Sequence, residues 1–329
     1  MIDRRSFLKI AGGIAATALP GASSAYSQST RGARVVIVGA GVAGVRAVVR
    51  LKQVDPRADI TLIDPIGQGK ASPLTKINST VMTASPVSLS LAGIKVVSQR
   101  VVELDPVSKR VLLQNGGEIY ADLLVLAPGV EFKHDDGVSH PLNDGLLQRQ
   151  LEAMQDGGNV IVSIPKAPYQ YPQGPYITIS RIAEYLHTRK PASKVIVFDH
   201  NPGSSIAELY RRQWLKATPT ARVERVEVEA GYIRVANHET GIIDTANGRL
   251  RGDIIALMDE QRAAAIARDA GLSLKGDWCQ VNERTLESLH YPDIYVLGDA
   301  NDAAQYDKTA FSAVQQADAF VRANTARIV

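Results

Sequence analysis

The 329-residue sequence contains one cysteine, Cys279. A lone thiol cannot close an intramolecular disulfide, build a cysteine-based metal site or form a Cys-x-x-Cys redox centre, even in an oxidising compartment. An excess of charge is also missing. The formal charge is +3, and residues 1–25 carry Arg4, Arg5 and Lys9 against Asp3, so the remainder stands at 3 − 2 = +1. A near-neutral chain argues against nucleic acid or an anionic membrane as the main partner. Beyond the N-terminal segment, no run reaches the ~18 apolar residues of a membrane span. The six histidines (His134, His140, His187, His200, His238 and His290) show no ligand spacing such as His-x-x-x-His and read as surface or loop residues. Internal repeats and low-complexity tracts are absent. What is left, 45% hydrophobic and 22% charged residues, is ordinary for a globular protein with room for two domains.

Residues 1–25 read as an export signal. Arg4-Arg5-Ser6-Phe7-Leu8-Lys9 is a twin-arginine pattern, followed by a weakly apolar run from Ile10 to Leu19 and small residues up to Ala25. The alternative is an amphipathic N-terminal helix. Twin-arginine export implies a periplasmic protein, delivered folded, a route suited to chains that take up a cofactor first.

The most informative stretch runs from Ala33 to Asp64. Arg34-Val35-Val36-Ile37-Val38 is a strand-like run; Gly39-Ala40-Gly41-Val42-Ala43-Gly44 follows, and an amphipathic helical pattern continues to Val54. The glycines have G-x-G-x-x-G spacing: the first for a tight turn, the second for close approach of a pyrophosphate to the backbone, the third for packing helix on strand. Gly39, Gly41, Val42, Ala43 and Gly44 are therefore candidate phosphate-binding residues. Ile60-Thr61-Leu62-Ile63 ends in Asp64, 20 residues past Gly44, where a carboxylate accepts hydrogen bonds from an adenosine ribose and favours a free 2′-hydroxyl. The bland alternative is an ordinary strand-to-helix glycine turn; the ordered set of strand, glycines, helix, strand and acid favours an adenine dinucleotide.

Downstream, residues 66–90 read as a long irregular connection. A strand is predicted over Ile94–Val102, a hairpin over Lys109–Leu113 and Glu118–Tyr120 with a turn at Asn115-Gly116-Gly117, and a buried strand over 122–129 ending in Ala127-Pro128-Gly129. A short helix is predicted over Gln148–Gln155. A second α/β unit begins at Asn159–Ile164. Its following turn is Pro165-Lys166-Ala167-Pro168-Tyr169-Gln170-Tyr171-Pro172-Gln173-Gly174-Pro175, where prolines remove backbone donors and Gly174 comes too late for a glycine motif. No dedicated NAD(P) site is expected there. Helices are predicted over Ile177–His187 and Ser204–Lys216, and a strand over Lys194–Asp199. Short antiparallel strands are predicted over Arg222–Val228, Tyr232–Val235 and Gly241–Asp244, with a closing strand over Asp253–Met258. Near the end, Ile294-Tyr295-Val296-Leu297-Gly298-Asp299-Ala300 precedes a helix over Thr309–Asn324. Asp299 in that turn is placed to bind a ribityl hydroxyl or phosphate-side group, with a helix N-terminus toward a flavin carbonyl. It is otherwise an ordinary N-cap or turn residue.

Three elements in this order, Gly39 to Asp64, Leu123 to Gly129 and Tyr295 to Ala300, resemble the flavoproteins of the pyridine nucleotide-disulfide oxidoreductase superfamily. More narrowly, the chain resembles the flavoprotein subunit of flavocytochrome c sulfide dehydrogenase. That likeness rests on Ala167 to Tyr176, on Gly276-Asp277-Trp278-Cys279 before Thr285-Leu286-Glu287-Ser288, and on Gly298-Asp299-Ala300 with Lys308 and Ser312 beyond. The resemblance implies an α/β chain with two Rossmann-like dinucleotide-binding domains of the glutathione-reductase-like FAD/NAD(P)-binding fold. They are an FAD-binding domain (31–150 and 278–329) and an NAD(P)-binding-like domain without a glycine motif (151–277). It also implies FAD held by the glycine turn, Asp64, Ala127, Pro128, Gly129, Gly298, Asp299 and Lys308, with a small-molecule electron donor and a c-type cytochrome subunit as partner.

The departures bear on chemistry. Tyr171 stands where the family has a redox-active cysteine, and the partner of that cysteine lies in a C-terminal region this sequence does not reach. The segment around Ser72 lacks the flavin-tethering cysteine, so FAD is expected to be noncovalent. Cys279 reads as a structural buried thiol, and Lys166 and Lys308 as sources of positive charge near reduced flavin or as solvated lysines. Two readings stay open: an FAD oxidoreductase using the flavin alone, and a noncatalytic binding subunit derived from the same fold.

Overall fold

A computed structural model gives the positions of residues 33–65, 93–133, 144–201, 203–217, 222–227, 233–237, 240–245 and 248–328. The predicted export signal, the connection 66–90 with Ser72, and His134, His140 and His238 lie outside the described residues.

The first sheet is parallel, in the order Ile294–Val296, Leu123–Leu126, Arg34–Val38, Asp59–Ile63, Lys95–Val97. Its strands are apolar at nearly every position because a parallel sheet is covered on both faces; Val35, Ile37, Leu62, Ile63, Leu124 and Val125 are all buried. The glycine-turn helix Val42–Val54 packs against Ala310–Ile328. The Arg46 guanidinium clasps both oxygens of Asp318 between them at 2.8 Å.

The second sheet is also parallel: Arg222–Glu227, Lys194–Asp199, Asn159–Ile164, Ile254–Leu257. Tyr176, Ile179, Ile182 and Leu186 of the helix Gly174–Arg189 join Val160, Val162 and Val197 in its core. The two sheets bear out the predicted α/β fold with Rossmann-like units. Helix Gly174–Arg189 starts three residues before the predicted Ile177, since Pro175 is pre-set for a first helical turn where its missing N–H costs nothing.

Several predicted elements are corrected. The strand expected to be antiparallel over Arg222–Val228 is Arg222–Glu227 and pairs parallel with Lys194–Asp199; the intervening helix Ser205–Ala217 supplies the crossover that parallel pairing requires. The single strand expected over Ile94–Val102 is two: Lys95–Val97 joins the parallel sheet, and Val101–Asp105 starts an antiparallel meander with Arg110–Leu113 and Glu118–Tyr120. The polar break Ser98-Gln99-Arg100 separates them, closed by Gln99 N–H to Val97 O at 2.9 Å. Ile233–Asn237, Ile242–Thr245 and the unpredicted Gly248–Arg251 form a second antiparallel meander. The predicted helix over Gln148–Gln155 lies at Asp144–Ala153. The ribbon of Val130–Phe132 with Gln261–Ala263 and the helix Ala265–Asp269 were not predicted.

Candidate functional site

The glycine turn is shaped by its neighbours. Gly39 has φ +104°, and a Cβ there would lie 2.2 Å from Ala127 O, so the turns after two adjacent strands touch through backbone. At Gly44 a Cβ would lie 1.9 Å from Gly39 O; only glycine lets the helix begin so close to the strand end. Gly41 differs: a Cβ there meets nothing within 4 Å, and the backbone at the helix N-terminus is open to an incoming group. Val42 and Ala43 form the first helical turn beside it.

Asp64 sits at the end of Asp59–Ile63, where its Oδ2 accepts the Ala40 N–H at 2.7 Å. Burial raises its pKa above the usual carboxylate range, opposed by the Ala40 bond and Arg100. The predicted ribose acid therefore also braces the phosphate turn. The Ala127-Pro128-Gly129 turn leaves Leu123–Leu126 beside Gly39, with Ala127 N–H on Val38 O at 2.8 Å and Gly129 at φ +73°.

A second turn meets the first. A Cβ on Gly298 (φ +77°) would lie 3.3 Å from Ala43 Cβ, so Gly298–Ala300 abuts the start of the glycine-turn helix. Asp299 Oδ2 accepts Gln170 Nε2 at 2.7 Å, while Oδ1 is buried without a hydrogen-bond partner. Burial raises this carboxyl's pKa, opposed first by the Gln170 bond. Lys308 Nζ donates to the carbonyls of Asp299 (2.6 Å) and Asn301 (2.8 Å) and lies 3.6 Å from the Trp278 ring centroid. Its ammonium pins the turn, and burial lowers its pKa to about 8. Lys166, by contrast, is exposed. An orphaned buried acceptor beside an open helix N-terminus is unusual, and both fit a flavin dinucleotide: Gly41 would face the pyrophosphate and Asp299 Oδ1 would accept a ribityl hydroxyl.

The second α/β unit offers nothing similar at its turn. A Cβ on Gly174 would strike Tyr171 Cδ1 at 2.6 Å, so the Tyr171 ring fills the helix start, and Gly174 N–H is bonded to Tyr171 O at 2.8 Å. Asn201 ties the prolines down through Ala167 N–H and Pro165 O, both at 2.8 Å. Asp199, the counterpart of Asp64 at the end of the second strand, is buried; it pairs with Arg225 at 3.2 Å and accepts the Tyr176 hydroxyl.

Two contributors escaped the sequence reading. Gln316 Oε1 accepts Gly298 N–H and Asn301 Nδ2, each at 2.7 Å; its signal was a polar residue on the buried face of a helix. Gln170 reaches Asp299 across 129 residues, and no local pattern announces that. Cys279 is fully buried, with burial pushing its thiol up to about 12. Among the described residues, no group of three or more His, Cys, Asp or Glu is placed to hold a metal ion, and no helix is long and apolar enough to cross a membrane.

Comparison with known proteins places this geometry. Residues 33–134 match the family model for pyridine nucleotide-disulphide oxidoreductases, and residues 144–259 match that for the central part of the sulfide dehydrogenase [flavocytochrome c] flavoprotein chain. The mitochondrial sulfide:quinone oxidoreductase of Mus musculus is 19% identical over 308 residues, 86% of this chain and 68% of that one. Among solved structures, the sulfide:quinone oxidoreductase of Aquifex aeolicus superposes with a TM-score of 0.66 at 16% identity, covering 89% of this chain and 77% of the other. A ferredoxin reductase from Rhodopseudomonas palustris gives 0.61 at 20% identity, covering 89% and 76%. One family model falls on the glycine-turn unit and the other on the proline-turn unit. The comparisons thus support an FAD-dependent flavoprotein of the pyridine nucleotide-disulphide oxidoreductase kind, similar over its two units to that family and to the sulfide dehydrogenase flavoprotein.

Proposed function

We propose that the protein works in the periplasm with the flavin itself as redox centre, taking electrons from a small-molecule donor and passing them to a c-type cytochrome or similar small carrier. The observation that carries this reading is Cys279: the sequence's one thiol is fully buried and held almost entirely protonated at neutral pH, so it serves neither as nucleophile nor as half of a dithiol relay. FAD bound here supplies two-electron acceptance and stepwise release. The chain's own residues would orient it: the Gly41 backbone would admit the phosphates, Asp64 and Asp299 would accept sugar hydroxyls, and Lys308 fixes the turn that would present Asp299. The twin-arginine pattern supports export, and the likeness to a flavocytochrome c flavoprotein supports a cytochrome partner.

Protein purified from the periplasm tests this. It should be yellow, release all its flavin on acid precipitation, and resist rapid bleaching by NADH in stopped flow. A small-molecule donor should drive cytochrome c reduction at ~1–10³ s⁻¹, unchanged by Cys279→Ala. Colour in the acid pellet, rapid NADH bleaching, or activity lost on Cys279→Ala would each overturn it. Bound flavin that exchanges electrons with no donor or acceptor would favour the binding-subunit reading instead.

A further inference from the structure

The proline-rich turn of the second unit carries no glycine motif, yet it is tied closely to the Asp299 turn. Gln170 Nε2 donates to Asp299 Oδ2 at 2.7 Å, the Gln170 N–H donates to Gln261 Oε1 at 2.7 Å, and the next residue, Tyr171, donates its N–H to Lys308 O at 2.8 Å. Tyr171 holds φ +57°, a conformation that non-glycine residues rarely adopt. Gln261 is itself anchored, since it opens the strand that pairs with Val130–Phe132 just past the Ala127-Pro128-Gly129 turn. Gln170 is thus held from both sides, and its side-chain amide donates to the acid whose second oxygen is buried and unpartnered.

We propose that Gln170 is a positioning residue for the flavin half of the cofactor, saturating one oxygen of Asp299 and leaving the other to accept a cofactor hydroxyl. This rests on the reading that FAD occupies the site. The chemistry suits an amide. It is neutral, so it adds no charge to a buried carboxylate already short of solvation, and it gives a directional donor that a lysine's rotating ammonium would not. Without it, Asp299 has two unsatisfied buried oxygens and no fixed rotamer, and binding must include the cost of ordering it. The second unit would then act on cofactor affinity through one side chain, although it contributes no phosphate loop.

The experiment measures the FAD dissociation constant by dilution of the holoprotein, following released flavin fluorescence, for the wild type, Gln170→Met and Gln170→Glu. Gln170→Met keeps the volume and removes the donor, and should weaken FAD by about tenfold. Binding of ADP to flavin-stripped protein, which engages only the first glycine turn and Asp64, should be unchanged and so reports an intact fold. Gln170→Glu sets two carboxyls against each other. At about pH 8 both would be charged and FAD should be lost; at about pH 5 a shared proton restores an O–H donor, and affinity should climb toward the wild-type value. The wild type should show no such gain on acidification. FAD affinity unchanged in both variants, or Gln170→Glu binding that stays flat with pH, would overturn the proposal. A wild type that binds ADP but not FAD would overturn the FAD reading and the proposal with it.

Discussion

The two parallel sheets end their central strands in the same way, each in a turn leading to a helix, and the turns have opposite contents. In the first, Gly41 faces open space and Asp64 supports the backbone around it. In the second, the Tyr171 ring occupies the helix start and Asp199 is consumed by Arg225 and Tyr176. A shared architecture therefore does not carry a shared site; the site depends on whether the turn leaves backbone donors and acid oxygens available. One turn leaves its backbone open, and the other uses its polar groups on its own fold.

The sharpest way to break this contrast is to add one methyl group to each turn. At Gly44 the new Cβ would sit 1.9 Å from a backbone oxygen, which cannot swing away, whereas at Gly174 it would meet the edge of an aromatic ring at 2.6 Å. Gly44→Ala should cost about 3–5 kcal/mol in denaturant unfolding and abolish FAD binding; Gly174→Ala should cost about 1–2 kcal/mol and leave FAD bound. Equal costs would show the two turns to be equivalent.

Exchanging the acids comes next. Asp199→Asn breaks a buried ion pair and should lose about 3 kcal/mol of stability with FAD affinity unchanged. Asp64→Asn should do the reverse, weakening FAD by about tenfold for less than about 1 kcal/mol of stability. Gly41→Ala isolates the ligand further: with open space around the new methyl, unfolding should shift by under about 1 kcal/mol, while FAD affinity falls because the methyl occupies the phosphate approach.

The last test is a slope with pH. Lys308 has its pKa lowered to about 8 in the fold from 10.5. Between those values the unfolded chain binds more protons than the native one, so this lysine's contribution to stability rises with pH across the window and is least favourable below about 8. Unfolding midpoints taken from pH 7.5 to 10 should show that rise, and Lys308→Met should flatten it.

The first α/β unit was legible because its signals are local: the apolar run, three glycines and an acid all fall between Arg34 and Asp64. The turn at Gly298 and the strand before it were legible for the same reason. What could not be read were pairings between distant short segments. Val130–Phe132 finds Gln261–Ala263, and three residues are too few to show a strand period. The direction of Arg222–Glu227 was misjudged because alternation marks a strand without saying which way its neighbour runs. The break at Ser98–Arg100 hid inside a stretch that is extended on both sides. Likewise, Asp299 was visible as a candidate, while the side chain that holds it belonged to a segment noted for what it could not bind.

The order of the first sheet also sets a schedule for biosynthesis. Ile294–Val296 forms its edge beside Leu123–Leu126, and Gly298 lies against Ala43. During translation, the glycine turn emerges some 250 residues before the turn that completes it (298 − 44 = 254). From the synthesis of Leu123–Leu126 until Ile294–Val296 emerges, the outer edge of that strand has no neighbour, and the Asp299 turn has not yet been made. With FAD held as proposed above, a ribosome-stalled chain ending near residue 290 should be a poor flavin binder and a good chaperone client.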